Sequence, residues 1–316
     1  MYACIDLGSN SFHLLIAHCQ DGSYDVVERF SDKVQLGEGI AATSMIAQDA
    51  FDRGLKCLKT FRQALDRYPV THCWSVGTNA LRVAQNATAF LDAASQLGID
   101  IDVVSGLEEA ALVYAGVNSA LPAIDQARLI IDVGGGSTEI IVGQGEMHLQ
   151  AHSMPIGCVS WRDKWFPNSL SSEADVNSGL DGALANAEEI FAGVAGQLQQ
   201  TPWCEVFASS GTAKMLSLVC SNRVGGRASG ISLVDLHELR PDIVRVATDP
   251  GFVLPGLKSG RRELILPGWA VLCGFMHATG VTEINFSPAA LREGMLHYMM
   301  SGSRTGDSPL HVLKAR

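Results

Sequence analysis

No stretch of this 316-residue chain approaches the roughly 18 apolar residues of a membrane-spanning helix, so no part of it is expected to cross a bilayer. The N-terminus runs from Met1-Tyr2 straight into an apolar segment ending at Asp6, without the basic start and small-residue cleavage site of a secretory leader. A cytoplasmic location is the default expectation. The eight cysteines form no CxxC pair and stand at no zinc-finger spacing from histidine. That excludes the usual metal and redox motifs and leaves reduced, mostly buried thiols. Charged residues are few, at 18%, and their balance is acidic: 23 Lys and Arg against 33 Asp and Glu give a net −10. Duplex nucleic acid and anionic membranes both need a positive surface, so neither is an expected partner. A polyanionic substrate would need positive charge concentrated locally. Low-complexity segments, coiled-coil heptads, HExxH and a helix-opening GxGxxG are missing as well. The nearest approach to a Walker loop, Gly251 to Ser259, is broken by Leu257. His148 and His152 flank an expected strand, where such a spacing separates them by about 13 Å, and they read as surface histidines. What is left is a chain 47% hydrophobic, long enough for about two core-rich domains.

What is present is a duplication. Residues 3–17 read ACIDLGSNSFHLLIA and residues 129–143 read LIIDVGGGSTEIIVG, placing Asp6 on Asp132, Gly8 on Gly134 and Ser11 on Ser137 at one offset of 126. Each copy is an apolar run ending in Asp, a turn of Gly, Ser or Asn, and a returning apolar run, hence a strand, a turn and a strand. Between and after the copies helix and strand alternate, which indicates an α/β fold. Phe51, Leu55, Leu58, Phe61 and Leu65 lie at helical spacing within 46–67, closed by Pro69. A strand at 72–76, a helix at 79–97, a strand at 101–104 and a helix at 107–117 follow, then a crossing at 118–126. The second half reads as a long helix at 173–198, a strand at 205–208 and a helix after Ser210-Gly211-Thr212. Helices at 235–246 and 261–278, a strand at 281–286 and a helix at 289–300 complete it. The expected domains are 1–122 and 123–302, with the last helix, about 289–302, packing back on the first, and a loose tail at 303–316.

The two turns carry the chemistry. Gly and Ser expose backbone N–H groups and hydroxyls, so Ser9, Asn10 and Ser11 in one loop and Gly134, Gly135, Gly136 and Ser137 in the other can wrap phosphate. A carboxylate beside phosphate is tolerable when it holds a divalent cation, which assigns Asp6 and Asp132 to Mg²⁺. Glu139 is placed to complete the metal shell or orient water; its counterpart in the first loop is His13. Glu108 and Glu109 open a helix about 100° apart, so one of them faces any site there, and a helix N-terminus favours the ionised form that a base requires. A net positive stretch at 223–262, with Arg223, Arg227, Arg240, Arg245, Lys258, Arg261 and Arg262, is either a polyanion track or a solvated face.

These residues fall into seven ordered motifs: IDLGSNSFHLLIA, LGEGI at 36–40, GTNALRVAQNAT at 77–88, VSGLEEA at 104–110, IDVGGGSTE at 131–139, SGT at 210–212 and ALREGML at 290–296. Together they resemble the exopolyphosphatase/guanosine pentaphosphate phosphohydrolase family along essentially the whole chain. The resemblance implies two ribonuclease-H-like lobes of the actin, hexokinase and Hsp70 superfold with the active site in the cleft between them, and a homodimer. It implies hydrolysis of the terminal phosphate of polyphosphate, of the 5′ γ-phosphate of guanosine pentaphosphate, or of both, with Mg²⁺ as cofactor and a monovalent cation such as K⁺ as an optional second one. By motif it makes Glu109 the base, with Glu108 the alternative, and sets Arg82 and Arg261 on the phosphate; Arg262 is adjacent to the latter. Longer family members continue into helical domains, so the chain resembles the short, two-domain form. Two other readings stay open: an ATP-dependent kinase or ATPase of the same superfold, and a non-catalytic sensor of alarmone or polyphosphate.

Overall fold

The duplication extends from one hairpin to two whole sheets. The computed structural model describes every residue except 21–22, 168–171, 224–229, 306–307 and 315–316. It divides into two units, Met1–Pro122 with Ala289–Arg316, and Ala123–Pro288. In the first unit β1 (Tyr2–Leu7) and β2 (Phe12–Gln20) form the hairpin and β3 (Ser23–Asp32) continues it. Then come α1 (Ile40–Thr43), α2 (Gln48–Leu65), β4 (His72–Gly77), α3 (Asn79–Val83), α4 (Ala87–Ser95), β5 (Asp102–Val103) and α5 (Gly106–Ser119). The second unit has β6 (Ala127–Val133), β7 (Thr138–Gln144), β8 (Met147–Met154), α6 (Cys158–Trp165), α7 (Glu173–Leu198), β9 (Trp203–Ser209) and α8 (Ser210–Ser221). It closes with β10 (Ile231–Ser232), α9 (Leu233–Thr248), a 3-10 turn at Ser259–Leu264, α10 (Ile265–Thr279) and β11 (Glu283–Phe286). Finally α11 (Leu291–Thr305) and α12 (Pro309–Lys314) belong by contact to the first unit.

The first sheet is ordered β3-β2-β1-β4-β5 and the second β8-β7-β6-β9-β11-β10. In each, the first three strands are antiparallel and the next two run parallel to the central one. This is the α/β class expected, two ribonuclease-H-like sheets. Each core follows from its sequence pattern. All seven residues of β6 are buried, as a central strand covered on both faces requires. α2 buries Ala50, Gly54, Cys57, Leu58, Phe61, Ala64 and Leu65, one face at three- and four-residue spacing. α10 is apolar all round and buries every residue from Ile265 to Met276. It lies against α7, where Gly274 admits Ala187 and Phe191 meets Phe275 edge-on at 5.5 Å. Burial raises the thiols of Cys57 and Cys220 to about 12, which keeps them protonated and unreactive.

Within the first unit α11 packs on α5 through Gly116 and Gly294. A Cβ at Gly294 would overlap the carbonyl oxygen of Leu112, and one at Gly116 that of Ala290. Glu293, 2% exposed, accepts from the N–H of Ala290 at 3.0 Å and pairs with Arg29 at 3.2 Å. The motif around it therefore fastens α11 to its own N-terminus and to β3.

Several expectations need correction. The helix expected over 79–97 is two helices, because Ala84 is extended and the Asn86 amide makes both of its bonds to the backbone of Ile46, at 2.8 and 3.0 Å. The tail is not loose where it is described: α12 buries Leu313, and Lys314 approaches Glu108 at 3.8 Å. The strand β3 and the helices α1 and α6 are additional to those expected, and β8 is the strand expected between His148 and His152.

Candidate functional site

Parallel strands end on one edge of a sheet, so β1, β4 and β5 deliver the segments after Leu7, Gly77 and Val103 to a common edge. That edge is where ligands of open α/β sheets bind. It carries the first loop, then Thr78 to Arg82, then Val104 to Glu109. In the second unit β6, β9 and β11 do the same for Gly134–Ser137, for Ser210–Thr212 and for Ser287. Both loops close alike: Gly8 N–H donates to Ser11 O at 3.2 Å and Gly134 N–H to Ser137 O at 2.9 Å. Ser9 and Ser137 are buried, and Asn10, 9% exposed, leaves its Oδ1 without a hydrogen-bond partner. A buried polar atom without a partner costs free energy unless a ligand meets it.

Beneath each loop the strand registers align a polar row on one face. In the second sheet the row is Ser209, Asp132, Glu139 and Ser153 on four adjacent strands. Ser209 Oγ donates to Asp132 Oδ2 at 2.6 Å and Ser153 Oγ to Glu139 Oε1 at 2.8 Å. The serines fix the two carboxylates side by side; Asp132 is 8% and Glu139 1% exposed. In the first sheet the row is Val76, Asp6, His13 and Ser31. The hairpins are thus alike in backbone and different in charge. Mg²⁺ takes one or two carboxylates and fills its remaining positions with water and phosphate oxygens. Asp132 with Glu139 fits that requirement, and Asp6 offers a single carboxylate; among the described residues no group of three or more His, Cys, Asp or Glu is gathered for a metal.

The two glutamates of α5 separate by what they touch. Ser105 Oγ accepts from Glu108 N–H at 3.2 Å, and Glu108 Oε2 accepts from Ser105 N–H at 2.6 Å, a capping box that uses Glu108 to start the helix. Glu109, one position on, is 8% exposed and accepts from Arg82 Nη1 at 2.6 Å, while the same nitrogen also donates to Val104 O at 3.0 Å. Arg82 and Glu109, 27 residues apart, therefore form one unit in which each orients the other. Arg82→Ala is expected to lower kcat/KM for phosphate release about 10²-fold by removing a charged donor and releasing Glu109. It is also expected to destabilise the fold by about 1–3 kcal/mol, since Glu109 stays buried without that partner. Steady-state kinetics and thermal melting read the two effects separately.

The two adjacent arginines separate as well. Arg262 donates to the carbonyls of Phe252 and Val246 at 2.6 Å and of Asp249 at 3.1 Å, which commits it to holding a loop. Arg261 lies over Gly211, where a Cβ would stand 2.6 Å from its Nη2, beside the turn that begins at Ser210. That turn holds Ser210 at φ 84, a left-handed conformation rare for serine, with Ser210 Oγ bonded to Val133 O at 2.9 Å. Asp132, its Ser209 support and Arg261 are thus gathered in the second unit. The basic stretch at 223–262 is not a continuous track. Arg223 pairs with Asp242, Arg240 with Asp181 and Arg245 with Asp249, and Arg227 lies outside the described residues. His148 and His152 both lie on β8, and burial lowers the His152 pKa. Sequence reasoning missed Ser209 and Ser153, whose roles appear only through strand register. It also missed Gly157, which no local pattern distinguishes.

The chain matches the model of the Ppx/GppA phosphatase family over residues 15–302. It is 31% identical over 315 residues to a guanosine-5′-triphosphate,3′-diphosphate pyrophosphatase of Pseudoalteromonas atlantica, a match covering 99% of this chain and 61% of that relative. The chain therefore spans about three-fifths of that relative's length. It is similar to the crystal structure of an exopolyphosphatase from Cytophaga hutchinsonii, with a TM-score of 0.82 and 25% identity over 98% of this chain and 99% of the other. It shares its fold with the Aquifex aeolicus PPX-GPPA enzyme, at a TM-score of 0.73 and 23% identity over 94% of this chain and 98% of the other.

Proposed function

The chain belongs to the Ppx/GppA phosphatase family, and we propose that it hydrolyses the terminal phosphoanhydride of inorganic polyphosphate, the 5′ γ-phosphate bond of guanosine pentaphosphate, or both. The observation that carries this reading is the partly buried Arg82–Glu109 pair at the strand ends of the first unit, a carboxylate set beside a charged donor. Glu109 orients a water and takes its proton as the water oxygen attacks the terminal phosphorus in line. The bond from phosphorus to the bridging oxygen breaks, and orthophosphate leaves with the shortened chain or nucleotide as the second product. Arg82 and Arg261 offset charge on phosphate oxygens, and the loop N–H groups hold those oxygens in place. Mg²⁺, held by Asp132 and Glu139 or by Asp6, would neutralise phosphate charge when bound.

The relatives support both substrates, one being a guanosine-5′-triphosphate,3′-diphosphate pyrophosphatase and one an exopolyphosphatase. Both substrates end in the same group, so an assay has to rank them. Phosphate release with Mg²⁺ from short polyphosphate, long polyphosphate, guanosine pentaphosphate and ATP is expected to run faster on at least one of the first three than on ATP. If ATP is the fastest substrate, the kinase or ATPase reading replaces this one; if none is turned over, a sensor does.

A further inference from the structure

Each loop is held from behind by a second segment of its own unit, and the hydrogen bonds of that support decide which way the loop's peptide groups point. In the second unit Gly134 O accepts from Cys158 N–H at 2.9 Å, and Gly135 O accepts from Val159 and Ser160 N–H at 2.7 and 3.1 Å. These three donors are the first N–H groups of α6, which a helix leaves unsatisfied and which carry its positive end. In the first unit Ser9 O accepts from Gly37 N–H and Asn10 O from Gln35 N–H, both at 2.8 Å. Gln35 reaches that position with φ 55.

Among the described residues there is no cis peptide bond. In a trans peptide the C=O of one residue and the N–H of the next point in opposite directions. Drawing the carbonyls of Ser9, Asn10, Gly134 and Gly135 into the supports therefore turns the N–H groups of Asn10, Ser11, Gly135 and Gly136 the other way. None of those four N–H groups donates to an acceptor within the described structure. Two adjacent N–H groups pointing out of a turn make an anion-binding concavity. The supports also sit as close as backbone allows: a Cβ on Gly157 would stand 2.5 Å from the carbonyl carbon of Gly135, and one on Gly37 would stand 2.7 Å from the Ser9 Cβ.

We propose that Gln35–Gly37 and Gly157–Ser160 are positioning segments that set the loop N–H groups toward phosphate oxygens, with Gly37 and Gly157 required for their close approach. The inference rests on the phosphate-hydrolase reading above and adds residues which that reading does not use. The device is the same in both units although the sequences differ: a strand-to-turn segment serves one loop and a helix N-terminus the other.

The test compares Gly157→Ala and Gly37→Ala with Gly193→Ala, a helical glycine that has open space where the Cβ would go. Gly157→Ala and Gly37→Ala are expected to raise KM for tripolyphosphate about tenfold or more, with smaller changes in kcat, and to lower the melting temperature while leaving it well above the assay temperature, because the loop must shift to admit the Cβ. Gly193→Ala is expected to match wild type in all three. Wild-type KM in both folded loop variants overturns the proposal, as does a loss of activity that only tracks a loss of melting temperature. Should Gly157→Ala not fold, Cys158→Pro takes its place with the same expectation. It removes the N–H held by Gly134 at the first helical position, where proline is tolerated. Calorimetric binding of tripolyphosphate is measured alongside turnover. An inactive wild type overturns the hydrolase reading alone, and unchanged binding by the variants overturns the positioning role alone.

Discussion

Glu109→Gln is expected to lower kcat for phosphate release by about 10²–10⁴-fold while leaving KM and the melting temperature near wild type. The amide has the same shape and keeps an oxygen to accept from Arg82, which now donates at 2.6 Å. It cannot take a proton from water. Glu108→Gln is the contrasting variant. The Glu108 carboxylate is used in the capping box with Ser105, so its replacement is expected to cost at most about 1 kcal/mol of stability and little turnover. Steady-state kinetics on the preferred substrate, with thermal melts of both variants, decide the matter. Near wild-type turnover in Glu109→Gln would remove Glu109 from the mechanism, and a collapse in Glu108→Gln alone would move the base to Glu108.

Gly294→Val is expected to destabilise the first unit by about 3 kcal/mol or more, or to prevent soluble expression. α11 and α5 cross at Gly294 and Gly116 with backbone against backbone, so a side chain at either position overlaps a carbonyl of the other helix. The helices must separate, and separation exposes the apolar face of α11, which includes the buried Met295, Leu296 and Met299. The effect reaches the site because α5 carries Glu109 in its first turn. Residual activity in the folded fraction is therefore expected to fall along with stability. Denaturant unfolding checks the first claim and activity per folded molecule the second. A wild-type melting temperature would show that the helices do not depend on this crossing.

How much was legible depended on how far a residue's role reached along the chain. The hairpins were legible because each fits within 15 residues: an apolar run, a turn of small residues and a second apolar run specify strand pairing locally. The strand β3 was not. It lies at the edge of its sheet and has much of its length facing solvent, so it does not carry the apolar run that marks a central strand. The single helix expected over 79–97 had the right composition throughout, and a tertiary contact from Asn86 to Ile46 interrupts it.

Sequence alone, then, established the α/β class, the doubled loop, the carboxylates Asp6, Asp132 and Glu139, and a paired glutamate at the start of a helix. These depend on periodicity, turn chemistry and spacing, which act over a few residues. The preference for Glu109 over Glu108 and Arg261 over Arg262 came from the resemblance; how the members of each pair differ physically is visible only in the fold, because adjacent residues of one type differ only in their distant partners. Glu108 is bound to its own helix start and Glu109 to Arg82; Arg262 is bound to three carbonyls and Arg261 lies over Gly211. The direction of the loop N–H groups was likewise a tertiary outcome. Peptide planes turn toward whatever donors lie behind them, and those donors come from Gln35–Gly37 and from the first turn of α6.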